Sequence, residues 1–310
     1  MSGYWTGILT ILSINIIMAY AVFLPVATGQ LNLGGAGFQA LGAYTAAFLS
    51  AAFGLNAWVT IPAAMAVGGL VSMAIAFPLL RTKGVYLVLA TFALAEVIAG
   101  VILNTDALGG AMGLSVPDFL DYHVPLIAAV LVTLFVFYLM ATRFGLTMRA
   151  AHDDDVVTDL LGVSVRGVRV AAFSLGGALA GLAGALYAHT FSFVDIQSFN
   201  ASLSIYVLLY VLLGGTQTAF GPLFGAAFFT LLPEGLRVVM PELKTFIAAA
   251  FHQSGPLSPP DESWRFVILG VLTVLMMAFR PEGLITRSLI ERLKPGRRTK
   301  RLDVAQEVSA

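Results

Sequence analysis

The feature that most constrains this chain is a series of long apolar runs separated by short polar segments. A helix rises about 1.5 Å per residue, so about 20 apolar residues span the hydrocarbon core of a bilayer. The candidate spans are Trp5–Ala27, Gly37–Leu55, Ala57–Leu80, Gly84–Leu103, Val124–Ala141, Val170–Phe191 and Trp264–Phe279. No basic segment precedes the first run and no clear cleavage site follows it, so we interpret it as a retained span rather than a signal peptide.

A further apolar region, Ser202–Leu232, is interrupted by Gly214–Thr218 and by Gly221-Pro222. Each half contains only about a dozen residues, which is short for a crossing. The region is therefore either two short spans or a re-entrant hairpin. The prediction is an all-α polytopic membrane protein of about eight or nine transmembrane helices, broken or re-entrant segments included.

Composition supports a membrane class and excludes several kinds of site. Hydrophobic residues make up 58% of the 310 residues and charged residues only 11%, against about 25% charged in a soluble domain. The formal net charge is zero, which gives no reason to expect a nucleic-acid partner. Cysteine is absent and the four histidines are scattered, so the sequence predicts no disulfide, metal site or cofactor.

Charge placement predicts the topology. The loops Asn104–His123 and Ser192–Ala201 contain acidic residues and no Lys or Arg, whereas Arg81 and Lys83, the segment Arg143–Arg169 and the tail after Phe279 are basic. The positive-inside rule places the basic segments in the cytoplasm of a bacterial inner membrane, where 14 of the 17 cations then lie. This assignment puts the N-terminus outside and the C-terminus inside.

The same reading predicts one large domain and a tail. Residues 1–286 form the transmembrane domain, with a cytoplasmic loop at residues 143–169. Residues 287–310 form a basic cytoplasmic tail that fixes orientation or touches anionic lipid. The stretch Pro233–Ser263 carries apolar residues at helical spacing and is interpreted as a helix on the outer surface.

Small residues recur every four positions in two spans, and this spacing predicts close helix packing. One stripe is Ala64, Gly68, Ser72 and Ala76; the other is Gly177, Gly181 and Ala185. In lipid, small side chains allow two helix backbones to approach each other.

Two segments look broken rather than packed. Pro25–Gly35 interrupts the chain between the first two spans, and Gly214–Pro222 does so later. Irregular backbone at membrane depth must face protein or a wet cavity, and in transporters it often borders the substrate path. The alternative is that both are ordinary loops at the lipid surface.

Glu96 is the one acidic residue well inside a predicted span. A carboxylate near the bilayer centre costs on the order of 3 kcal/mol on insertion scales, so its presence needs a cause. It is protonated, hydrogen-bonded to a neighbouring helix, or part of a hydrated path.

The basic loop contains a short amphipathic helix. Val156, Val157, Leu160 and Leu161 share one face, and the acidic run Asp153–Asp155 complements the helix N-terminus. The apolar face can dock on the protein itself, on lipid or on another protein.

At this loop the sequence resembles the permeases of branched-chain amino acid ABC transporters, in particular the LivM-like subunit. The segment Phe144–Val163 matches the family in its Arg149-Ala150 and Leu161-Gly162 pairs and in its acidic run. Four other segments are similar and occur in the family's order: GQLNLGGAGFQALGAYTA (29–46), KGVYLVLATFALAEV (83–97), AGLAGALYA (180–188) and LLGGTQTAFGPLFGA (212–226), followed by FRPEGL (279–284).

The resemblance implies a permease subunit that works with a second LivH-like permease, two cytoplasmic ABC ATPases and an extracytoplasmic substrate-binding protein. The chain has no GxxxxGK[ST] motif of its own, so it is expected to be a transport subunit and not an enzyme. Residues expected to couple to the ATPase are Arg149, Asp153, Asp154, Asp155, Val157, Leu160, Leu161 and Gly162. Candidate translocation-path residues are Gln30, Asn32, Tyr44, Glu96, Thr216, Gln217 and Thr218.

The expected substrate is a branched-chain amino acid, since that is the commonest cargo of the family. Alternatives are urea, amides or other small organic acids. An ion-coupled secondary transporter also fits the spans, but it leaves the amphipathic loop without a role and usually needs more than one embedded acid.

Overall fold

The computed structural model describes residues 3–251, 264–279 and 283. The helices are α1 (Gly3–Val26), α2 (Gly35–Phe53), α3 (Ala57–Leu79), α4 (Val85–Leu103), α5 (His123–Ala141), α6 (Arg143–Asp153), α7 (Asp155–Leu160), α8 (Val165–Phe191), α9 (Ala201–Gly214), α10 (Phe220–Phe251) and α11 (Trp264–Phe279). Sheet structure in these residues is one antiparallel pair, β1 (Leu114–Ser115) with β2 (Phe193–Val194). The tail at residues 287–310, predicted as a separate segment, lies outside the described residues.

The helical membrane fold predicted from the apolar runs is confirmed. In the described part of the chain, α1, α3, α4, α5 and α8 are long and apolar enough to cross a membrane, and α9 is a shorter apolar helix. The helix α2 has 19 residues but is less apolar, because Gln39, Tyr44 and Thr45 interrupt it.

The centre of the bundle is α8, which packs against α1, α2 and α3. The two predicted stripes of small residues meet there: a Cβ on Gly68 would lie 2.5 Å from the Gly177 carbonyl oxygen, and one on Gly181 would lie 2.6 Å from the Ala64 carbonyl oxygen. Ser72 lies against Gly177, and its hydroxyl donates to the Ser174 carbonyl at 3.3 Å. The packing prediction is therefore confirmed, and larger side chains at these positions would force α3 and α8 apart.

The interrupted region resolves into two helices. The 14 residues of α9 span about 21 Å, and α10 runs for 32 residues, or about 48 Å. They meet in a tight turn at residues 215–219, where a Cβ on Gly221 would lie 1.9 Å from the Gly215 carbonyl oxygen. The helix expected in 233–263 is present as far as residue 251, but it is the continuation of α10 through Pro233 and not a separate helix.

One end of the bundle carries α6, α7 and the α3–α4 connection, and we call it the basic end. The other end, the β-pair end, carries β1, β2 and the loops at 104–122 and 192–200. His189 is fully buried there: its Nδ1 donates to the Asp118 carbonyl at 2.9 Å, and its Nε2 lies 2.6 Å from the Thr60 hydroxyl. The Asp118 carboxylate accepts from the Ala57 amide at 2.7 Å, so the 104–122 loop is bonded to both α3 and α8.

Candidate functional site

The basic end presents a short helix that is separated from α6 by a single residue. Asp154 lies in extended backbone between α6 and α7, and its carboxylate accepts from the Val156 and Val157 amides at 2.9 and 3.0 Å. A carboxylate in this N-cap position satisfies amides that have no partner within the helix. The acidic run was predicted to lie at one helix N-terminus; instead Asp153 ends α6, and only Asp154 and Asp155 begin α7.

Asp155 anchors α7 to the bundle. Its carboxylate lies 3.1 Å from Lys83 Nζ, after α3, and 3.4 Å from Arg169 Nη1, in α8. The hydrogen bond and charge of Lys83 lower the pKa of the Asp155 carboxyl below its ordinary value, with a smaller contribution from Arg169. Arg169 Nη2 also donates to the Ala151 carbonyl at 3.4 Å, which joins α6 to the same centre.

The apolar face of α7 points away from the bundle. Val156, Val157, Leu160 and Leu161 are between 50% and 82% exposed, and we call these four residues the α7 patch. Thr158, on the opposite side, is buried and its hydroxyl donates to the Asp154 carbonyl at 2.7 Å. The structure thus removes one of the three docking options left open by the sequence, since the face does not pack on the chain's own described residues.

Two further predicted coupling residues, Arg149 and Gly162, lie in α6 and directly after α7. Arg149 lies on α6, and its Nη2 donates to the Met140 carbonyl at 3.3 Å, which ties α6 to the end of α5. Gly162 follows α7 with φ +82°, a conformation that favours glycine, and its amide donates to the Asp159 carbonyl at 2.9 Å. Gly162 therefore ends α7 and turns the chain back towards α8.

The first break, residues 27–34, is an extended segment inside the bundle. Gly29 lies beside His152 at the basic end, whereas Gly35 packs against Val22 and Met18, one to two turns inside α1. The amides at the start of α2 bond to polar side chains: Leu33 to the Thr91 hydroxyl at 3.0 Å and Ala36 to the Ser204 hydroxyl at 3.0 Å. The interpretation as a surface loop is excluded for this segment, because α2 begins at a depth where α1 and α4 are already helical.

The polar residues of this break have different surroundings. Asn32 is buried and its Oδ1 accepts from the Gly34 amide at 2.7 Å, so it closes the turn. Gln30 is 3% exposed, and neither its amide nitrogen nor its amide oxygen has a hydrogen-bond partner. A buried amide without a partner is costly, so Gln30 is the better candidate for contact with water or cargo.

The second break is the turn at residues 215–219. The Tyr20 hydroxyl donates to the Ala219 carbonyl at 3.1 Å, and the Phe137 and Phe220 ring centroids are 4.6 Å apart. The turn therefore lies inside the bundle, about two turns from the end of α1. Thr218 is buried, Thr216 is half-buried and Gln217 is exposed.

Both breaks contact the stretch of α1 from Met18 to Val22. The structure thus brings together two segments that the sequence indicated separately. Tyr44 and Glu96 do not join them. Tyr44 is buried in α2 within the apolar cluster that contains Ile102 and Ile196, and Glu96 lies on the exposed face of α4. The seven candidate path residues therefore do not line one cavity in this chain.

A comparison with known protein families identifies the family of this chain. A family model described as "Branched-chain amino acid transport system / permease component" matches residues 4–277. The chain belongs to this permease family.

Individual relatives agree. The chain is 30% identical to the high-affinity branched-chain amino acid transport system permease protein LivM of Escherichia coli, over 90% of this chain and 69% of that protein. It is 30% identical to LivM of Salmonella typhimurium, over 83% of this chain and 64% of that protein. It is also 30% identical to the autoinducer 2 import system permease protein LsrC of Salmonella paratyphi B, over 59% of this chain and 49% of that protein. No solved structure matches.

Three polar residues of this permease were missed by the sequence analysis, namely Tyr20, Thr91 and Ser204. Each lies in an apolar span and bonds to backbone in or beside a break: Tyr20 to Ala219, Thr91 to Leu33 and Ser204 to Ala36. A hydroxyl within an otherwise apolar run is a usable signal. Its partner is 58 to 199 residues away, so the sequence does not indicate which backbone it serves.

Proposed function

We propose that this chain is the membrane-spanning subunit of an ATP-driven importer for branched-chain amino acids, and that separate ATPase subunits dock on the α7 patch. The observation that carries the proposal is the α7 patch itself: four exposed apolar side chains on a helix whose other face is anchored by Asp155. Burying one such side chain contributes on the order of 2 kcal/mol, so a complementary groove gains appreciable affinity.

The anchoring contacts give the patch a mechanical role. Asp155 contacts Lys83 between α3 and α4 and Arg169 in α8. A displacement of α7 by a docked ATPase is therefore passed to the central helix of the bundle and to the α3–α4 connection. Both breaks contact α1, which packs on α8, and they are the segments best placed to change conformation between inward-open and outward-open states.

The proposed orientation of the chain in the membrane follows from its charge distribution. The α7 patch lies on the same end as Arg81, Lys83 and Arg166, and the positive-inside rule assigns that end to the cytoplasm. The β-pair end then faces the binding protein that delivers cargo. The remaining partners are a second permease subunit and the lipid around the bundle.

The substrate proposal rests on the relatives. The two LivM relatives are named for branched-chain amino acids, and LsrC for autoinducer 2. Uptake of radiolabelled leucine, competed by valine, isoleucine, urea or autoinducer 2, separates these cargoes. Competition by urea or autoinducer 2 alone would contradict the amino acid assignment.

The test of the docking proposal is Leu161→Asp in the assembled complex. An aspartate in an apolar groove must lose its hydration, so we expect at least a tenfold loss of co-purified ATPase and of ATP-dependent uptake. The matched control is Met112→Asp, since Met112 is an 89% exposed apolar side chain at the β-pair end. Retention of the ATPase by Leu161→Asp, or equal loss of co-purified ATPase in both variants, would contradict the proposal.

A further inference from the structure

The outward faces of three helices look alike except at one residue. In the interior of α3 the exposed large side chains are Met65, Leu70 and Met73, and in α5 they include Leu126, Ile127, Val130, Leu131, Leu134 and Phe135. All are apolar, as expected of helix faces in contact with lipid. The outward face of α4 carries Leu89, Val97 and Val101, each about 60% exposed, and also Glu96.

Glu96 lies at membrane depth. It is 11 residues from the start of α4 at Val85, which is about 16 Å along the helix, and 7 residues from its end at Leu103. Among the described residues none forms an ion pair or a hydrogen bond with its carboxylate. Exposure of this carboxylate to lipid is strongly disfavoured, whereas exposure of the apolar faces of α3 and α5 to lipid is not.

The surroundings of Glu96 leave room for another helix. Ala93 and Gly100 lie about one turn before and after it on the same face, and a Cβ on Gly100 would meet nothing within 4 Å. Small residues on both sides of a polar side chain allow a neighbouring backbone to approach and to bond with it.

We propose that the outward face of α4 is the contact surface for a second, non-identical membrane-spanning subunit that donates a hydrogen bond or a positive charge to Glu96. Charge decides between a different chain and a second copy. If α4 packed against its own copy about a two-fold axis along the membrane normal, two Glu96 carboxylates would face each other at the same depth. Two like charges this close disfavour that arrangement, so the neighbour is a different chain. The inference rests on the proposed function in that the importer contains two membrane-spanning subunits, and it assigns one of them a position.

The absence of cysteine from the sequence makes the test direct. Single variants Leu89→Cys and Val97→Cys on α4 are labelled with bimane in the complex purified through a tag on this chain. Leu70→Cys on α3 and Val130→Cys on α5 are matched controls, since all four native side chains are between 53% and 61% exposed. The labelled complexes are reconstituted in phosphatidylcholine with and without brominated acyl chains.

We expect brominated lipid to quench the labels on α3 and α5 at least fivefold and those on α4 less than twofold. Quenching of the α4 labels equal to the controls would overturn the proposal, because lipid would then cover this face. A disulfide between two Val97→Cys copies would overturn the claim that the neighbour is a different chain.

The role of Glu96 is tested by two substitutions. Glu96→Leu should lower the amount of the second membrane subunit recovered with this chain at least fivefold, whereas Glu96→Gln, which keeps a hydrogen-bond acceptor, should stay within twofold. Val130→Leu is the control on a lipid-facing helix. Full recovery with Glu96→Leu would contradict the proposal, and melting of the isolated chain detects a variant that fails to fold.

The outcome is separable from that of the proposed function. A complex in which α4 is exposed to lipid but uptake still needs the ATPase overturns this inference alone. A complex in which α4 is protected but Leu161→Asp keeps its ATPase overturns the docking proposal alone.

Discussion

The two ends of the bundle are closed in different ways. At the β-pair end, the loop at 104–122 is held through His189, a fully buried side chain bonded to Asp118 and Thr60. At the basic end, α7 is held through Asp155, whose partner Lys83 is 78% exposed, and the apolar side of α7 is left open. One end is held by a buried imidazole that bonds to its loop, whereas the other keeps an apolar surface that another protein can cover.

This difference predicts that substitutions at the β-pair end act mainly on stability and those at the basic end mainly on assembly. The largest effect on stability is expected for His189→Ala. The change leaves a cavity and removes both bonds of the imidazole, so the free energy of unfolding should fall by about 3 kcal/mol. Chemical unfolding in detergent measures this free energy. A loss below about 0.5 kcal/mol, the size of an ordinary surface substitution, would mean that His189 does not hold this end.

Asp118→Ala should have the next largest effect. Its carboxylate bonds to the Ala57 amide at the start of α3, where Asn56 makes no side-chain cap. Losing a cap of this kind costs about 1 kcal/mol. Asp118→Asn keeps an acceptor oxygen and serves as the control; equal destabilisation by both would point to charge rather than to the cap.

At the basic end, Asp155→Asn should hardly change global unfolding, because the carboxylate and Lys83 are both substantially exposed to solvent. It should instead speed amide hydrogen exchange in residues 155–162. Since the folded-state pKa of Asp155 is lowered, its contribution is present above the unfolded-state pKa and is lost as the pH falls through the lower, folded-state pKa. The difference from wild type should therefore be constant from pH 6 to 8 and vanish under strongly acid conditions; a difference that grows with acidity would contradict the assignment.

The smallest effect on stability is expected for Leu160→Asp. Leu160 is 82% exposed, so the isolated chain should unfold at the same denaturant concentration as wild type. A large loss of stability would show that the α7 patch packs on the chain itself. The basic end would then have no open apolar surface, and the difference between the two ends would be contradicted.

The sequence predicted those features that local pattern determines. Small residues every fourth position predicted close helix packing, because in lipid such a stripe has few other uses. The structure adds that the two stripes pack on each other, with Gly68 of α3 against Gly177 of α8. Glycine and polar residues between Pro25 and Gly35 predicted a break, and the structure buries Gln30 and Asn32 there.

The features it did not predict depend on distant partners. His189 was noted only as a scattered histidine, since its partners lie 71 and 129 residues away. The outward orientation of Glu96 depends on which side of α4 packs on α2, and an apolar helix gives no amphipathic pattern from which to choose a side. The division between α6 and α7 was missed because three consecutive aspartates leave the choice of N-cap to the backbone.

The most direct test of the account is uptake by proteoliposomes that contain this chain and its second membrane subunit, with and without the ATPase subunits. With the ATPase subunits and ATP on the inner side of the vesicle membrane, and with a binding protein outside, labelled leucine should accumulate inside the vesicles above its external concentration. Without the ATPase, or with Leu161→Asp, the internal concentration should not exceed the external one. Uphill accumulation driven by a proton or sodium gradient in the absence of any ATPase would contradict the account.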